Sequence, residues 1–200
     1  MLYIEKLYIE DSPERKGQYW NDIPVIKAVT KLGSLRFHKP VTFIVGENGM
    51  GKSTLLEAIA VCWGFNPEGG TKNMRFATRE SHSTLCDYLR LARGPHYARD
   101  GLFLRAESTY NVASEIDRLK SSGGNGELFM KSYGGISLHN QSHGESFMAI
   151  MKNRFSGHGL YILDEPEAAL SPSRQMAMLA LMKRLVDQDS QFIISTHSPI

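Results

Sequence analysis

Residues 41–54 read Val41-Thr42-Phe43-Ile44-Val45-Gly46-Glu47-Asn48-Gly49-Met50-Gly51-Lys52-Ser53-Thr54. The five residues before Gly46 form a nearly continuous apolar run, as expected of a strand buried on both faces of a sheet. From Lys52 to Cys62, Leu55, Leu56, Ile59 and Ala60 recur at helical spacing, until Gly64, Pro67, Gly69 and Gly70 break the pattern. Between strand and helix, Gly46 to Ser53 fits G-x-x-x-x-G-K-[ST] in the structural context that gives this pattern its meaning. Such a turn lets backbone N–H groups and the positive end of the helix dipole converge on phosphate oxygens. Gly46, Asn48, Gly49 and Gly51 form the cradle. Lys52 is expected to reach the β- and γ-phosphates of a nucleotide, Ser53 to ligate Mg²⁺ and Thr54 to bond the α-phosphate. The competing interpretation is a Gly-rich turn carrying a surface lysine.

Outward from this stretch, strands alternate with helices. Strands are expected at Leu102–Ala106, Leu160–Leu163 and Gln191–Ser195, and helices from Ser108 to about Lys120, about Gly144 to Phe155 and Pro172 to about Val186. A further helix, capped by Ser81 or Ser83, is expected through about Arg93, and Ser121–Gly126 is expected to be a surface loop. Before the cradle, Leu2–Glu10, Pro24–Thr30 and Leu35–His38 are strand-like and suggest an antiparallel edge. The pattern predicts an α/β fold with a mostly parallel central sheet, an N-terminal antiparallel β region and a small helical lobe. Residues 1–200 are taken as one domain, with about 65–140 forming an inserted lobe that carries part of the sheet.

The run Leu160-Tyr161-Ile162-Leu163-Asp164-Glu165-Pro166 places two carboxylates at the end of an apolar strand, where a parallel sheet presents its ligands. Asp164 is expected to hold Mg²⁺, and Glu165 to orient or deprotonate the water that attacks the γ-phosphate. The alternative is a pair of acids capping the helix that follows. His197 follows the strand Phe192-Ile193-Ile194 and lies 32 residues beyond Glu165, at another strand end from which it can donate to the γ-phosphate.

Composition sets bounds on these expectations. The 200 residues are 42% hydrophobic and 22% charged, within the usual range of globular domains, so disorder is not the main state of the chain. The 23 Lys and Arg against 21 Asp and Glu leave a net charge of +2, too small to argue for nucleic-acid binding from bulk electrostatics. Cys62 and Cys86 form no CxxC pair and suggest buried thiols in a reducing compartment. The N-terminus lacks a signal-peptide pattern and no window approaches the length of a transmembrane segment, so a cytoplasmic location is expected.

The cradle, the Asp164-Glu165 pair and His197 together resemble the Walker A, Walker B and switch-histidine motifs of the ATP-binding-cassette (ABC) superfamily of ATPases. That family carries a Leu-Ser-Gly-Gly-Gln signature shortly before Walker B. Here Gln141-Ser142-His143-Gly144-Glu145, 22 residues before Asp164 by its serine, keeps the serine and one glycine. The resemblance implies that Ser142 and Gly144 contact the γ-phosphate of ATP held by a second copy, in a head-to-tail ATP-sandwich homodimer. The other reading is an N-cap serine and a turn glycine. Adenine stacking, if family-like, would come from Tyr19 or Trp20, which are equally suited to covering a sheet edge.

Three departures narrow the branch. The segment Glu165-Pro166-Glu167-Ala168-Ala169-Leu170-Ser171 has Ser171 where transport subunits place a D-loop aspartate. No glutamine lies between Lys52 and Gln141, so the transporter Q-loop residue has no counterpart, and Glu107 or Ser108 is the substitute facing the metal. The 89 residues from Ser53 to Ser142 leave no room for the coiled coil of SMC-type heads. The chain is therefore similar to stand-alone ATPases of the RecF, SMC and OLD type without an arm, and resemblance implies a switch acting on DNA or an effector protein. The nucleotide-binding subunit of a membrane transporter is the alternative. A non-hydrolysing scaffold is disfavoured by Glu165 and His197. Seven basic residues, Lys72, Arg75, Arg79, Arg90, Arg93, Arg99 and Arg105, against three acidic ones between 72 and 105 form a possible phosphate-backbone surface or ordinary solvated helix faces. His139 and His143 are four apart but have no companion ligands in the sequence.

Overall fold

The structure, a computed structural model, describes residues 1–71, 83–107, 109–121 and 138–198. Among the described residues its centre is a four-stranded parallel sheet in the order β3 (Val41–Val45), β7 (Gln191–Thr196), β6 (Gly159–Asp164), β5 (Asp100–Arg105), with one antiparallel bridge from Gly70 to Phe103. The strands β5, β6 and β7 are apolar on both faces, as expected where both sides of a parallel sheet are covered. Leu102, Leu104, Tyr161, Leu163, Phe192 and Ile194 face one side, in a core shared with α4 (Thr109–Ser121), α5 (His143–Arg154) and α6 (Pro172–Val186). Phe103, Leu160, Ile162 and Ile193 face the other, against α2 (Lys52–Trp63) and the N-terminal region. The period of two along each strand thus divides the buried residues between two cores. Each fully buried aliphatic or aromatic side chain contributes about 1.5–3 kcal/mol.

Beyond α2 lies a separate three-stranded antiparallel sheet in the order β2 (Leu35–Arg36), β1 (Ile4–Ile9), β4 (Leu89–Arg93). It is a layer of its own and not an antiparallel edge of the central sheet. Gln191, at the start of β7, ties it down. Its Oε1 accepts from Tyr3 N and Ile4 N at 2.7 and 2.9 Å, and its Nε2 donates to Ile4 O at 2.9 Å, all buried.

Four sequence expectations change. Pro24–Thr30 is not a strand: Pro24–Leu32 forms helix α1, with proline at its first turn, Ile26 and Val29 buried on one face and Gly33 at φ 72° as its C-cap. The expected helix to Arg93 is only Leu85–Tyr88 (α3), because Leu89–Arg93 is captured by pairing with β1. Tertiary pairing overrides a helical pattern in so short a segment. Strand β3 is not buried on both faces: it lies at the sheet edge, and Phe43 and Val45 are 48% and 68% exposed. Cys62 and Cys86 are half-buried free thiols and not core residues.

The expected loop at Ser121–Gly126, the Ser81 and Ser108 caps, and the basic residues Lys72, Arg75 and Arg79 lie wholly or in part outside the described residues. No helix among the described residues is long and apolar enough to cross a membrane.

Candidate active site

The C-terminal ends of β3, β6 and β7 lie side by side, because Val45 registers with Thr196 and Asp164 with Ser195. The sheet therefore delivers the loop after β3, the carboxylates after β6 and the histidine after β7 to one rim, where open parallel sheets bind ligands.

The loop enters α2 through Gly51, which has φ 86° and acts as its N-cap. A Cβ at this position would collide with the Ile23 side chain, so close packing as well as backbone conformation calls for glycine. Lys52 is 4% exposed and folds back over the loop. Its Nζ donates to Gly46 O at 2.8 Å and Glu47 O at 3.0 Å, and lies 3.4 Å from Glu165 Oε1. Ile23, Asn48, Gly49, Gly51, Lys52, Ser53, Thr54, Glu107 and Glu165 line an open cleft of about 430 Å³, a size suited to a nucleotide-like ligand.

Behind the cleft, Ser53 Oγ donates to Asp164 Oδ1 at 3.0 Å across 111 residues of sequence. A hydroxyl and a carboxylate oxygen side by side match the hard-oxygen ligands that Mg²⁺ takes from a protein while keeping water in its remaining positions. Burial pushes the Asp164 carboxyl above its usual range. Hydrogen bonds from Ser195 and Ser53 and the Arg105 guanidinium offset that only in part.

Ser195 and Arg105 carry weight at this site that the sequence did not assign. Ser195 Oγ, fully buried, donates to Asp164 Oδ1 at 2.6 Å and accepts from Glu165 N at 3.0 Å. It therefore sets both carboxylate residues at once. Glu165 itself sits at φ 48°, in the left-handed region that a non-glycine residue enters only when its surroundings hold it there. Arg105, counted from sequence with a basic surface, instead turns inward: Nε is 3.3 Å from Asp164 Oδ2 and Nη1 is 3.0 Å from Glu57 Oε2. A serine ending a strand, or one arginine among several, carries no periodic signal that would have marked it.

His197 lies at the same rim, with Nδ1 3.7 Å from Glu165 Oε1 and 3.4 Å from Glu167 Oε1. Tyr19 is 64% exposed, but Trp20 is fully buried and its Nε1 donates to Thr84 Oγ1 at 3.0 Å. Trp20 is thus a core residue whose ring is closed to adenine, which corrects its place among the nucleotide-binding candidates and leaves Tyr19.

Ser142 and Gly144 stand apart from this cleft, at the N-terminus of α5. Ser142 N and Oγ both donate to Glu145 Oε2, at 3.0 and 2.8 Å, in a capping box. These bonds hold the exposed Glu145 carboxyl below its usual range. A Cβ on Gly144 would come within 2.7 Å of Ala169 O and 2.6 Å of Arg174 Nη1, so the helix end packs directly on the segment after Glu165.

A strand-loop-helix phosphate cradle facing two strand-end carboxylates on a parallel sheet defines a P-loop ATPase. A family model described as an AAA domain matches residues 26–132, more than half of the chain, and another described as an AAA ATPase domain matches residues 105–200. The chain belongs to the AAA domain family, and its activity is the binding and hydrolysis of ATP.

Among curated relatives it is similar to the cobalt import ATP-binding protein CbiO of Salmonella typhimurium, 27% identical over 198 residues that cover 90% of this chain and 68% of the relative. It is also similar to the ribose import ATP-binding protein RbsA of Yersinia pestis, 26% identical over 179 residues that cover 80% of this chain and 34% of the relative. The chain thus spans about two thirds of the length of the former and about one third of the latter. Similar solved structures include the SMC head domain from Thermotoga maritima, at 18% identity and a TM-score of 0.47, covering 98% of this chain and 90% of that one. The cbiO1 structure from Clostridium perfringens matches at 17% identity and a TM-score of 0.44, covering 99% of this chain and 80% of that one.

Proposed function

We propose that this ATPase is Mg²⁺-dependent and works as a switch. ATP joins two copies head to tail, hydrolysis releases them, and the change acts on an effector protein or DNA. The observation that carries the reading is the meeting of Lys52, Ser53, Asp164, Glu165 and His197 at one sheet rim, with Ser53 3.0 Å from Asp164 and Lys52 3.4 Å from Glu165.

In this reading Gly46, Asn48, Gly49 and Gly51 shape the loop around the phosphates, and Lys52 exchanges loop carbonyls and Glu165 for the β- and γ-phosphate oxygens. That exchange frees the Glu165 carboxylate to orient the attacking water. Ser53 and Asp164 hold Mg²⁺, Glu107 on the cleft wall offers a further carboxylate to its water shell, and Thr54 bonds the α-phosphate. The metal, when bound, neutralises charge that develops on the phosphate oxygens. His197 donates to the γ-phosphate, and Tyr19 stacks on adenine.

Ser142 and Gly144 present the α5 N-terminus to ATP held by the second copy, with the Ser142 hydroxyl exchanging Glu145 for a phosphate oxygen. The basic surface offers limited support for the DNA arm. Arg90 pairs with Glu10, Arg93 lies over the Trp63 ring and Arg105 faces Asp164.

Steady-state ATPase assays with Mg²⁺ and with EDTA test the chemistry, using Lys52→Ala and Glu165→Gln. Lys52→Ala loses nucleotide binding, whereas Glu165→Gln binds ATP, turns over very slowly and accumulates as a dimer in light scattering. Equal hydrolysis by Glu165→Gln and the unsubstituted chain refutes the role of Glu165. Titration with double-stranded DNA over a salt series separates the partners, since DNA action requires salt-sensitive stimulation. A second reading, a nucleotide-binding subunit of a membrane importer, draws on the similarity to the cobalt and ribose import ATP-binding proteins. Co-purification with a membrane complex favours it.

A further inference from the structure

We propose that Glu167 is a positioning residue for His197, holding the end of β7 and the imidazole where His197 meets the γ-phosphate. The proposal rests on the reading of His197 given above.

Val45 with Thr196 is the last ladder pair of β3 and β7. Glu167, in the short 3-10 turn Pro166–Ala168, binds the chain just past it. Its Oε1 accepts from Thr196 Oγ1 at 2.6 Å and from His197 N at 2.9 Å. Thr196 Oγ1 in turn accepts from Ser198 N at 3.0 Å, so a single carboxylate oxygen organises the whole turn. The Glu167 side chain is only 11% exposed, which makes these bonds firm and their loss costly. Burial acts to raise its pKa, yet the bonds from Thr196, from its own backbone amide and from His197 N together outweigh that and hold the carboxyl below its usual range.

The same Oε1 lies 3.4 Å from His197 Nδ1, and Glu165 Oε1 lies 3.7 Å from that nitrogen. Two carboxylates therefore compete for one ring edge. With Glu167 holding Nδ1, the other ring nitrogen is left to meet phosphate and Glu165 is left to meet water. Without Glu167, the imidazole swings to Glu165 and engages the group that must orient water. Where a metal-bound histidine is fixed through its second nitrogen, losing that partner costs about 10–100-fold, and a loss on that order is expected here.

The test is a double-mutant cycle on the full chain, read as kcat and KM for Mg·ATP with binding of a fluorescent ATP analogue as the control. Glu167→Ala is expected to lower kcat about 10–100-fold with KM and analogue binding unchanged. Glu167→Gln, which keeps an acceptor for Thr196 and His197 N, recovers most of that loss. The Glu167→Ala, His197→Ala double variant is expected to be no slower than His197→Ala alone. Where the alanine chain does not fold, Glu167→Asp, which keeps a carboxylate but draws it back from Thr196 and His197, replaces it in the same cycle.

A slow His197→Ala combined with multiplicative losses in the double variant overturns the positioning role and leaves the reading of His197 standing. Unsubstituted kcat in His197→Ala removes that reading and the positioning role with it. A loss confined to analogue binding also overturns the proposal, since it makes Glu167 a structural support of the cleft.

Discussion

Replacing Ser195 by alanine removes one hydroxyl that serves two carboxylate residues, and its consequences can be worked from the site. The side chain is fully buried, so water cannot replace it. Asp164 Oδ1 loses its 2.6 Å donor and keeps Ser53, while the Glu165 amide keeps only the Ser195 carbonyl at 3.3 Å. A hydrogen bond to a charged group is worth about 1.5–3 kcal/mol, so a stability loss of about 2 kcal/mol is expected. For a chain of this size that lowers Tm by about 4–8 °C in a calorimetric scan.

The pH dependence follows from the raised pKa of Asp164. In the folded state burial favours its neutral form, so ionisation at neutral pH costs stability, and that cost is relieved as pH falls through the folded pKa. Loss of the Ser195 donor moves this pKa further up, and the stability gap between the two chains narrows in acid as Asp164 takes up its proton. Turnover falls as well, because the Glu165 backbone at φ 48° loses a bond that holds it there. Unchanged Tm together with unchanged kcat in Ser195→Ala would refute this account of the rim.

Three further outcomes are expected. Trp20→Ala costs about 3–5 kcal/mol by denaturant unfolding, as a fully buried tryptophan should, whereas Tyr19→Ala leaves stability unchanged and weakens binding of a fluorescent ATP analogue. Gly144→Ala forces a Cβ to within 2.7 Å of a backbone carbonyl that cannot rotate away, so it costs about 1–3 kcal/mol and loosens α5 from the segment after Glu165, measurable by hydrogen exchange at Ala169 and Leu170. Because the Glu167 carboxyl sits below its unfolded value, its stabilisation is full above that value and is lost as pH falls through the folded one. Glu167→Gln removes that part of the acid dependence of Tm.

The phosphate cradle was legible because its chemistry is local. Gly51, Lys52 and Ser53 are consecutive, and a strand-to-helix turn positions them without help from the rest of the chain. Strands β5, β6 and β7 and helices α2, α5 and α6 were legible for a similar reason, since unbroken apolar runs and a 3.6 period report burial directly. Pro24–Leu32 was misread because a short apolar run between Pro24 and Gly33 fits either period, and what settles it is packing of Ile26 and Val29 against the core. Leu89–Arg93 became a strand because β1 offers it an open edge 80 residues away. The exposed face of β3 follows from strand order, which no residue in 41–45 encodes.

By itself the sequence pointed to the chemistry proposed for the rim: a phosphate-binding turn, Ser53 and Asp164 for a metal, and Glu165 and His197 for water and phosphate. Tertiary structure alone decided which groups hold those residues in place. Ser195 ties Asp164 to Glu165, Arg105 turns from the surface to the carboxylate, Trp20 enters the core and Glu167 reaches across to His197. The division has a physical cause: a cradle is built from consecutive backbone groups, whereas support for a side chain comes from whatever the sheet register brings alongside, often 30 or more residues away.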